Sequence, residues 1–304
     1  MVTRERELEA LPPGGDPTPA GLPVLDRVLE PFHRGAPPQA QAATGFYTDT
    51  TVCIGCKACE VACKQWNQLP ADGFAWTGES YDNTGQLSAT SWRHVKFIEQ
   101  FPADAPAPGD SVVDLLDPGR WLMMSDVCKH CVTAPCQQAC PTGALIHTEF
   151  DNVYIQPDIC NGCAYCVAAC PFGVITRSTL DGHAHKCTLC YDRQRDGLVP
   201  ACAKACPTAS IQFGPIDELR DRARKRVDDL QARGVSGAYL YGDAPTPTYS
   251  ALHSFYLLVD RPAVYGLPDE PFNPWLRMKG NYIRAAVCGL VAIAVLIPLL
   301  LAGR

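Results

Sequence analysis

Sixteen of the chain's 17 cysteines fall between Cys53 and Cys206, in four groups of four. They are Cys53, Cys56, Cys59 and Cys63; Cys128, Cys131, Cys136 and Cys140; Cys160, Cys163, Cys166 and Cys170; and Cys187, Cys190, Cys202 and Cys206. The first and third groups are C-x2-C-x2-C-x3-C, the second widens one gap to four residues, and the fourth widens one to eleven. Cys288 stands alone. Scattered buried thiols would not repeat in this way. A chain of 304 residues, enough for about two domains, also has no need of the disulfide staples that hold small secreted modules together.

Three closely spaced cysteines allow a short loop to wrap one cuboidal cluster and present three thiolates to three irons. The fourth then reaches the partner cluster when two clusters share a module, and proline commonly follows it. Pro141, Pro171 and Pro207 follow three of the four last cysteines, and Lys64 takes that place in the first group. Structural zinc favours paired C-x2-C units, often with histidine, so four complete quartets predict four 4Fe–4S clusters. All sixteen cysteines are the expected metal and cofactor ligands. Four clusters in one chain predict a path for electrons, since a thiolate-held cluster changes charge with little rearrangement. There is no P-loop, Rossmann glycine fingerprint, nucleophile elbow or HExxH, so no catalytic residue is expected. His130 and His185 are expected to support or pack, not to ligate. Lys57 and Lys129, inside the ligand loops, should either offset cluster charge or stand in solvent. The net charge of −6 argues against a nucleic-acid partner.

Along the chain, residues 1–45 read as a flexible extension rich in Pro, Gly and Ala, with helical spacing only over 22–32. No signal peptide or twin-arginine pair is visible at its start. Residues 46–214 form the cysteine-dense body, with an inner module at 128–170 and an insertion over 65–127 whose four tryptophans predict that it is folded. Cys-Pro followed by a small residue and an aliphatic pair recurs at 140–146, 170–176 and 206–212, where proline sends the chain on extended. Residues 144–147 and 153–156 should form a hairpin about Asp151-Asn152. Short helices are expected in the ligand segments before Trp66 and Cys170. Ile216, Leu219, Ala223, Val227 and Leu230 predict one amphipathic helix ending at Gly234, with its charged face solvated. The rest of 215–280 reads as an irregular connector. Residues 281–304 are expected to be a transmembrane anchor, because 285–303 carry no charge and would span about 28 Å as a helix.

The spacing of all sixteen cysteines, the stretches GFYTDTTVCIGCKACEVACKQWN and KCTLCYDRQRDGLVPACAKACPTASIQFG, and the apolar end together resemble the iron–sulfur subunits of membrane-bound formate dehydrogenases. These lie within the wider class of four-cluster subunits of molybdenum and tungsten oxidoreductases. The resemblance covers roughly residues 46–303. It implies an α+β fold of two nested ferredoxin-like modules with four 4Fe–4S clusters, plus a C-terminal transmembrane helix. It further implies that Cys53, Cys56, Cys59 and Cys206 hold one cluster and Cys187, Cys190, Cys202 and Cys63 its partner. Cys128, Cys131, Cys136 and Cys170 would hold a third, and Cys160, Cys163, Cys166 and Cys140 a fourth. The 19 residues between Cys140 and Cys160 leave room for a hairpin, which favours the inner pairing independently. The outer pairing rests on the resemblance. Nitrate reductase relatives replace one of these cysteines by tryptophan, and here none is replaced.

The resemblance implies an electron-transfer subunit of anaerobic respiration with no catalytic site of its own. It would take electrons from a molybdopterin catalytic subunit that oxidises formate and pass them to a membrane cytochrome b and quinone. The alternatives are the equivalent subunit of a membrane hydrogenase or another molybdenum reductase, and a membrane-anchored redox store or sensor. Arg277, Lys279 and Arg284 precede the apolar stretch and Arg304 follows it, which by the positive-inside rule puts the body in the cytoplasm. The family often carries the body outside, exported with its partner, and the extracytoplasmic face is the expectation.

Overall fold

The computed structural model describes residues 42–73, 76, 78, 81–82, 84–100 and 120–302. The helix expected over 22–32, nearly all of the expected N-terminal extension and residues 101–119 of the insertion lie outside them. In chain order the elements are β1 (Thr44–Asp49), α1 (Ala58–Trp66), β2 (Arg93–Gln100), β3 (Arg120–Val127), α2 (Pro135–Gln138), β4 (Leu145–His147), β5 (Val153–Ile155) and α3 (Tyr165–Ala169). They continue with β6 (Thr176–Arg177), β7 (Ala184–His185), α4 (Tyr191–Arg195), α5 (Ala201–Lys204), β8 (Ile211–Pro215), α6 (Ile216–Ala232), β9 (Tyr239–Tyr241), β10 (Ser254–Leu258) and α7 (Trp275–Ala302).

One four-stranded sheet, in the order β8-β1-β10-β9, anchors the body. β1 runs antiparallel to β8 and parallel to β10. Side chains alternate across a strand, and the two faces of this sheet go to different cores. Tyr47, Phe255 and Leu257 pack with Ile216, Leu219, Ala223 and Leu230 of α6. Phe46, Tyr256 and Leu258 face the larger core that contains the cysteines. The sheet is therefore a layer between α6 and the cysteine-bearing loops. Each fully buried Leu or Phe contributes about 1.5–3 kcal/mol by its removal from water.

β10 corrects the expectation of an irregular connector over 235–280. All five of its residues are buried. A strand covered on both faces reads as a continuous apolar run and lacks the alternation that marks a half-exposed one. The nearby Gly and Pro residues hid it further.

The expected hairpin is present as β4 and β5, paired antiparallel with Leu145 opposite Ile155. α1 and α3 occupy the expected short helical segments. α6 covers Ile216–Ala232 and Gly234 follows it at φ +92°. Its polar face is not simply solvated, because Arg226 Nε reaches Asp49 Oδ2 at 2.9 Å, at the end of β1. In the described part of the insertion only Trp92, of its four tryptophans, packs partly buried against the main core. The frame of the insertion is the eight-residue β2–β3 ribbon, while Trp66, Trp76 and Trp121 are exposed.

The expected membrane anchor is met only as a helix. α7 runs 28 residues, yet among the described residues no helix is long and apolar enough to cross a membrane. The side chains described in its apolar part are those of 285–294 and Ile297, short of the roughly 20 residues a span requires.

Gly45 shows how closely β1 and β10 approach. A Cβ there would lie 1.9 Å from the His253 carbonyl oxygen, which already accepts the Phe46 N–H at 2.7 Å. Gly45→Ala is expected to destabilise the body by about 1–3 kcal/mol, the usual cost of overpacking. A lowered apparent midpoint in thermal or urea unfolding would report it, and an unchanged midpoint would refute it.

Candidate iron–sulfur sites

The cysteine loops owe their shape to backbone turned into the left-handed region. Gly55 and Gly162 occupy the same place in the first and third groups, at φ +65° and +71°, and Lys57 and Ala164 follow the second cysteine of each at φ +59° and +64°. At Gly162 a Cβ would stand 2.1 Å from the Gly182 carbonyl oxygen, so only glycine fits. Such loops turn successive N–H groups inward towards anionic ligands. The Cys-Pro segments repeat as well. Gly143, Gly173 and Ala209, each three residues beyond the last cysteine, all have positive φ. Their N–H groups close turns onto the carbonyls of Cys140, Cys170 and Cys206.

The folded chain gathers cysteines across groups. One cavity is lined by Cys53, Cys56, Cys59 and Cys206. Another is lined by Cys128, Cys131, Cys136 and Cys170. Each combines three cysteines of one group with the last of another. The other eight are within electrostatic reach of one another in the same manner. Cys63 interacts with Cys187, Cys202 and Cys190, and Cys166 with Cys160, Cys140 and Cys163. All are free thiols. Among the described residues no three His, Cys, Asp or Glu side chains converge on a single metal ion. Four sulfurs around one zinc would stand about 3.8 Å apart, given a bond of about 2.3 Å. No such grouping occurs among the described residues.

Burial pushes the thiols of Cys59, Cys166 and Cys190 up to about 11 and that of Cys131 up to about 12. A thiolate at these positions therefore needs a cationic core to stabilise it. Hydrogen-bond donors already face several sulfurs. The Tyr249 hydroxyl donates to Cys131 Sγ at 3.1 Å, the Leu189 N–H to Cys187 Sγ at 3.2 Å, and the Ala184 N–H to Cys160 Sγ at 3.5 Å. Ser125 Oγ lies 3.3 Å from Cys59 Sγ. Among the buried nitrogens without a hydrogen-bond partner are Nε and Nη2 of Arg93 and both ring nitrogens of His130. His130 is in the wall of the Cys128 cavity. Thiolates to ligate iron, donors for anionic sulfur and spare buried N–H groups together fit an iron–sulfur core.

The two loop lysines have other commitments. Lys57 pairs with Asp82 at 3.3 Å and Glu60 at 3.6 Å. Lys129 is buried against Asp126, with the Tyr256 hydroxyl at 3.0 Å. His185 pairs with Asp181 at 2.8 Å and stacks on Trp92. Arg93 was missed by the sequence reading because it lies on β2, thirty residues beyond the nearest preceding cysteine. One signal was available. Arg93, Val95 and Phe97 alternate onto one face of the strand, and a cation on an apolar face requires a partner.

Residues 52–144 and 119–216 each match a family model described as a 4Fe-4S dicluster domain. The formate dehydrogenase iron-sulfur subunit of Haemophilus influenzae is 40% identical over 227 residues, covering 73% of this chain and 68% of that protein. The formate dehydrogenase-O iron-sulfur subunit of Escherichia coli is also 40% identical over 227 residues, covering 73% of this chain and 70% of the relative. A subunit of the anaerobic dimethyl sulfoxide reductase of Escherichia coli is 33% identical over 194 residues, covering 62% of this chain and 79% of the relative.

Proposed function

The chain belongs to the family of formate dehydrogenase iron–sulfur subunits, electron-transfer and not catalytic subunits of a molybdenum oxidoreductase, and from that premise we propose that it holds four 4Fe–4S clusters in two nested ferredoxin-like modules. The observation that carries this reading is the gathering of three cysteines from one group with the last of another. The proposed ligand sets are Cys53, Cys56, Cys59 and Cys206; Cys63, Cys187, Cys190 and Cys202; Cys128, Cys131, Cys136 and Cys170; and Cys140, Cys160, Cys163 and Cys166. When bound, each cluster can take up and release one electron with little change in its ligands.

The chain's own residues hold the thiolates, exclude water and supply N–H and O–H donors to sulfur, which are the means by which a protein sets cluster potential. Cys56 and Cys163 are exposed, whereas Cys63, Cys187, Cys190 and Cys202 are buried. The sets containing Cys56 and Cys163 are therefore where partner chains come within reach. We assign one to the molybdenum catalytic subunit that oxidises formate, and the other to a membrane cytochrome b leading to quinone.

Anaerobically purified protein is expected to contain about sixteen irons and sixteen acid-labile sulfides per chain, about four of each per cluster. Stoichiometric zinc with little sulfide would overturn the reading.

The crossed sets give a sharper test. Cys206→Ser is expected to perturb the cluster held by Cys53, Cys56 and Cys59 and to spare the one held by Cys187, Cys190 and Cys202. Electron paramagnetic resonance distinguishes these, and the reverse pattern would refute the assignment.

We further propose that α7 holds the body at the extracytoplasmic face of a bilayer. Its support is the uncharged stretch 285–303 and the exposure of Ile283, Val287, Leu290, Val291 and Ile293 along the helix. Association with a cytochrome helix would rest on close packing, since lipid gives no hydrophobic drive to it. Removing 285–303 should leave the cluster content intact and formate oxidation by an artificial acceptor unchanged, while quinone reduction is lost. In right-side-out vesicles of the unmodified complex, external protease should reach the body. Normal quinone reduction after truncation, or a protected body, would refute the corresponding half.

A further inference from the structure

We propose that Arg93 sets the potentials of the outer pair of clusters, as a fixed buried positive charge held between the Cys53–Cys56–Cys59–Cys206 set and the Cys63–Cys187–Cys190–Cys202 set. This rests on the four-cluster reading above.

Arg93 opens β2 and is 2% exposed. Its guanidinium lies over the Phe46 ring, 4.7 Å from the centroid. Nη1 donates to Ser125 Oγ at 3.0 Å, and that oxygen is 3.3 Å from Cys59 Sγ. Nε and Nη2 have no partner. Burial alone would disfavour the charged guanidinium, but Cys202, Cys59, Cys187 and Tyr256 are the groups that act on it most strongly, and together they raise its pKa. None of them is a carboxylate. Cys59 belongs to one outer set, and Cys202 and Cys187 to the other.

The other buried cations differ. Lys129 shares the Asp126 carboxylate with Lys96, Lys186 donates to the carbonyls of Val153 and Cys187, and Arg193 donates to the Val199 carbonyl and lies over the Trp66 ring. A buried charge needs a counter-charge, and arginine stays protonated throughout. The anions available to Arg93 are the sulfurs of the two outer sets, and its two unpaired nitrogens are the donors for them. Reduction adds one electron and one negative charge to a cluster, with no bond made and no proton moved. A fixed cation beside both outer clusters therefore favours the reduced form of each.

The test is a dye-mediated redox titration of the intact complex, followed by electron paramagnetic resonance, with Arg93→Gln and Arg93→Lys. Iron and sulfide analysis of the unmodified complex decides the four-cluster reading on its own. Given four clusters, Arg93→Gln is expected to lower the reduction equilibrium constant of both outer clusters at least tenfold, which is 59 mV for one electron, and to leave the inner pair nearly unchanged. Arg93→Lys should restore most of the loss. If Arg93→Gln loses iron, loss confined to the outer pair and rescued by lysine supports the proposal. Unchanged potentials, a shift shared equally by all four clusters, or failure of lysine to restore either potential or iron would overturn it.

Discussion

Burying a thiolate is the constraint on which the rest of this structure depends. The thiols of Cys63, Cys136 and Cys187 are held far above the ordinary cysteine range by burial. Such sulfurs become thiolates only with a cationic core to stabilise them, so ligand binding and folding are coupled. The local structure fits that dependence. α2 and α5 have four residues each, and α3 and α4 have five. Isolated helices shorter than about 12–15 residues are marginal in water. These turns take their position from the ligands they carry and from the cysteines packed into the main core.

The crossed cysteine sets require a particular chain path, and the central sheet provides it. β1 precedes the first cysteine group, β8 follows the fourth, and the two pair antiparallel with Phe46 opposite Phe213. β10 then returns beside β1. The first and last cysteine groups are thus closed onto each other while the second and third meet through the β4–β5 hairpin. Every strand pair in this sheet except β9–β10 joins residues more than 150 positions apart in the chain. Contacts of that range bear a loop-closure cost that local ones do not, and the crossed ligand sets help to offset it.

Much of this was legible because cysteine spacing, the Cys-Pro turns and the period of α6 are local signals. The third-residue turn after Cys140, Cys170 and Cys206 repeats in backbone as it does in sequence, even though Ala209 replaces glycine at φ +52°. What was illegible depended on tertiary context. β10 lacks alternation because both its faces are covered. The four tryptophans of the insertion suggested a core, yet only Trp92 packs on it; the β2–β3 ribbon reaches the core through Val95, Leu122, Met124 and Val127. Lys57 and Lys129 stood inside ligand loops and drew attention for that reason, but Asp82, the nearer partner of Lys57, and Asp126, the partner of Lys129, lie outside the cysteine groups.

Charge in the interior follows the same logic. The chain carries a net charge of −6, and thiolate-bound cores would add further negative charge. Exposed lysines would do little to balance it, because solvent screens them. Buried cations are screened far less, and three of them act on the cysteine loops in distinct ways. Lys129, paired with the Asp126 carboxylate that also holds Lys96, fixes the Cys128–Cys131 loop against Tyr256. Lys186 ties the Cys187 loop to β5 through the Val153 carbonyl. Arg93 alone combines full burial, a guanidinium over the Phe46 ring and two unpaired nitrogens among cysteines of different sets. A lysine ammonium has neither the flat face for Phe46 nor the fork of donors that arginine presents. The residue type, its place on β2 and its distance in sequence from every ligand motif then share one cause: the space between two thiolate sets must be filled by a rigid cation delivered from outside both.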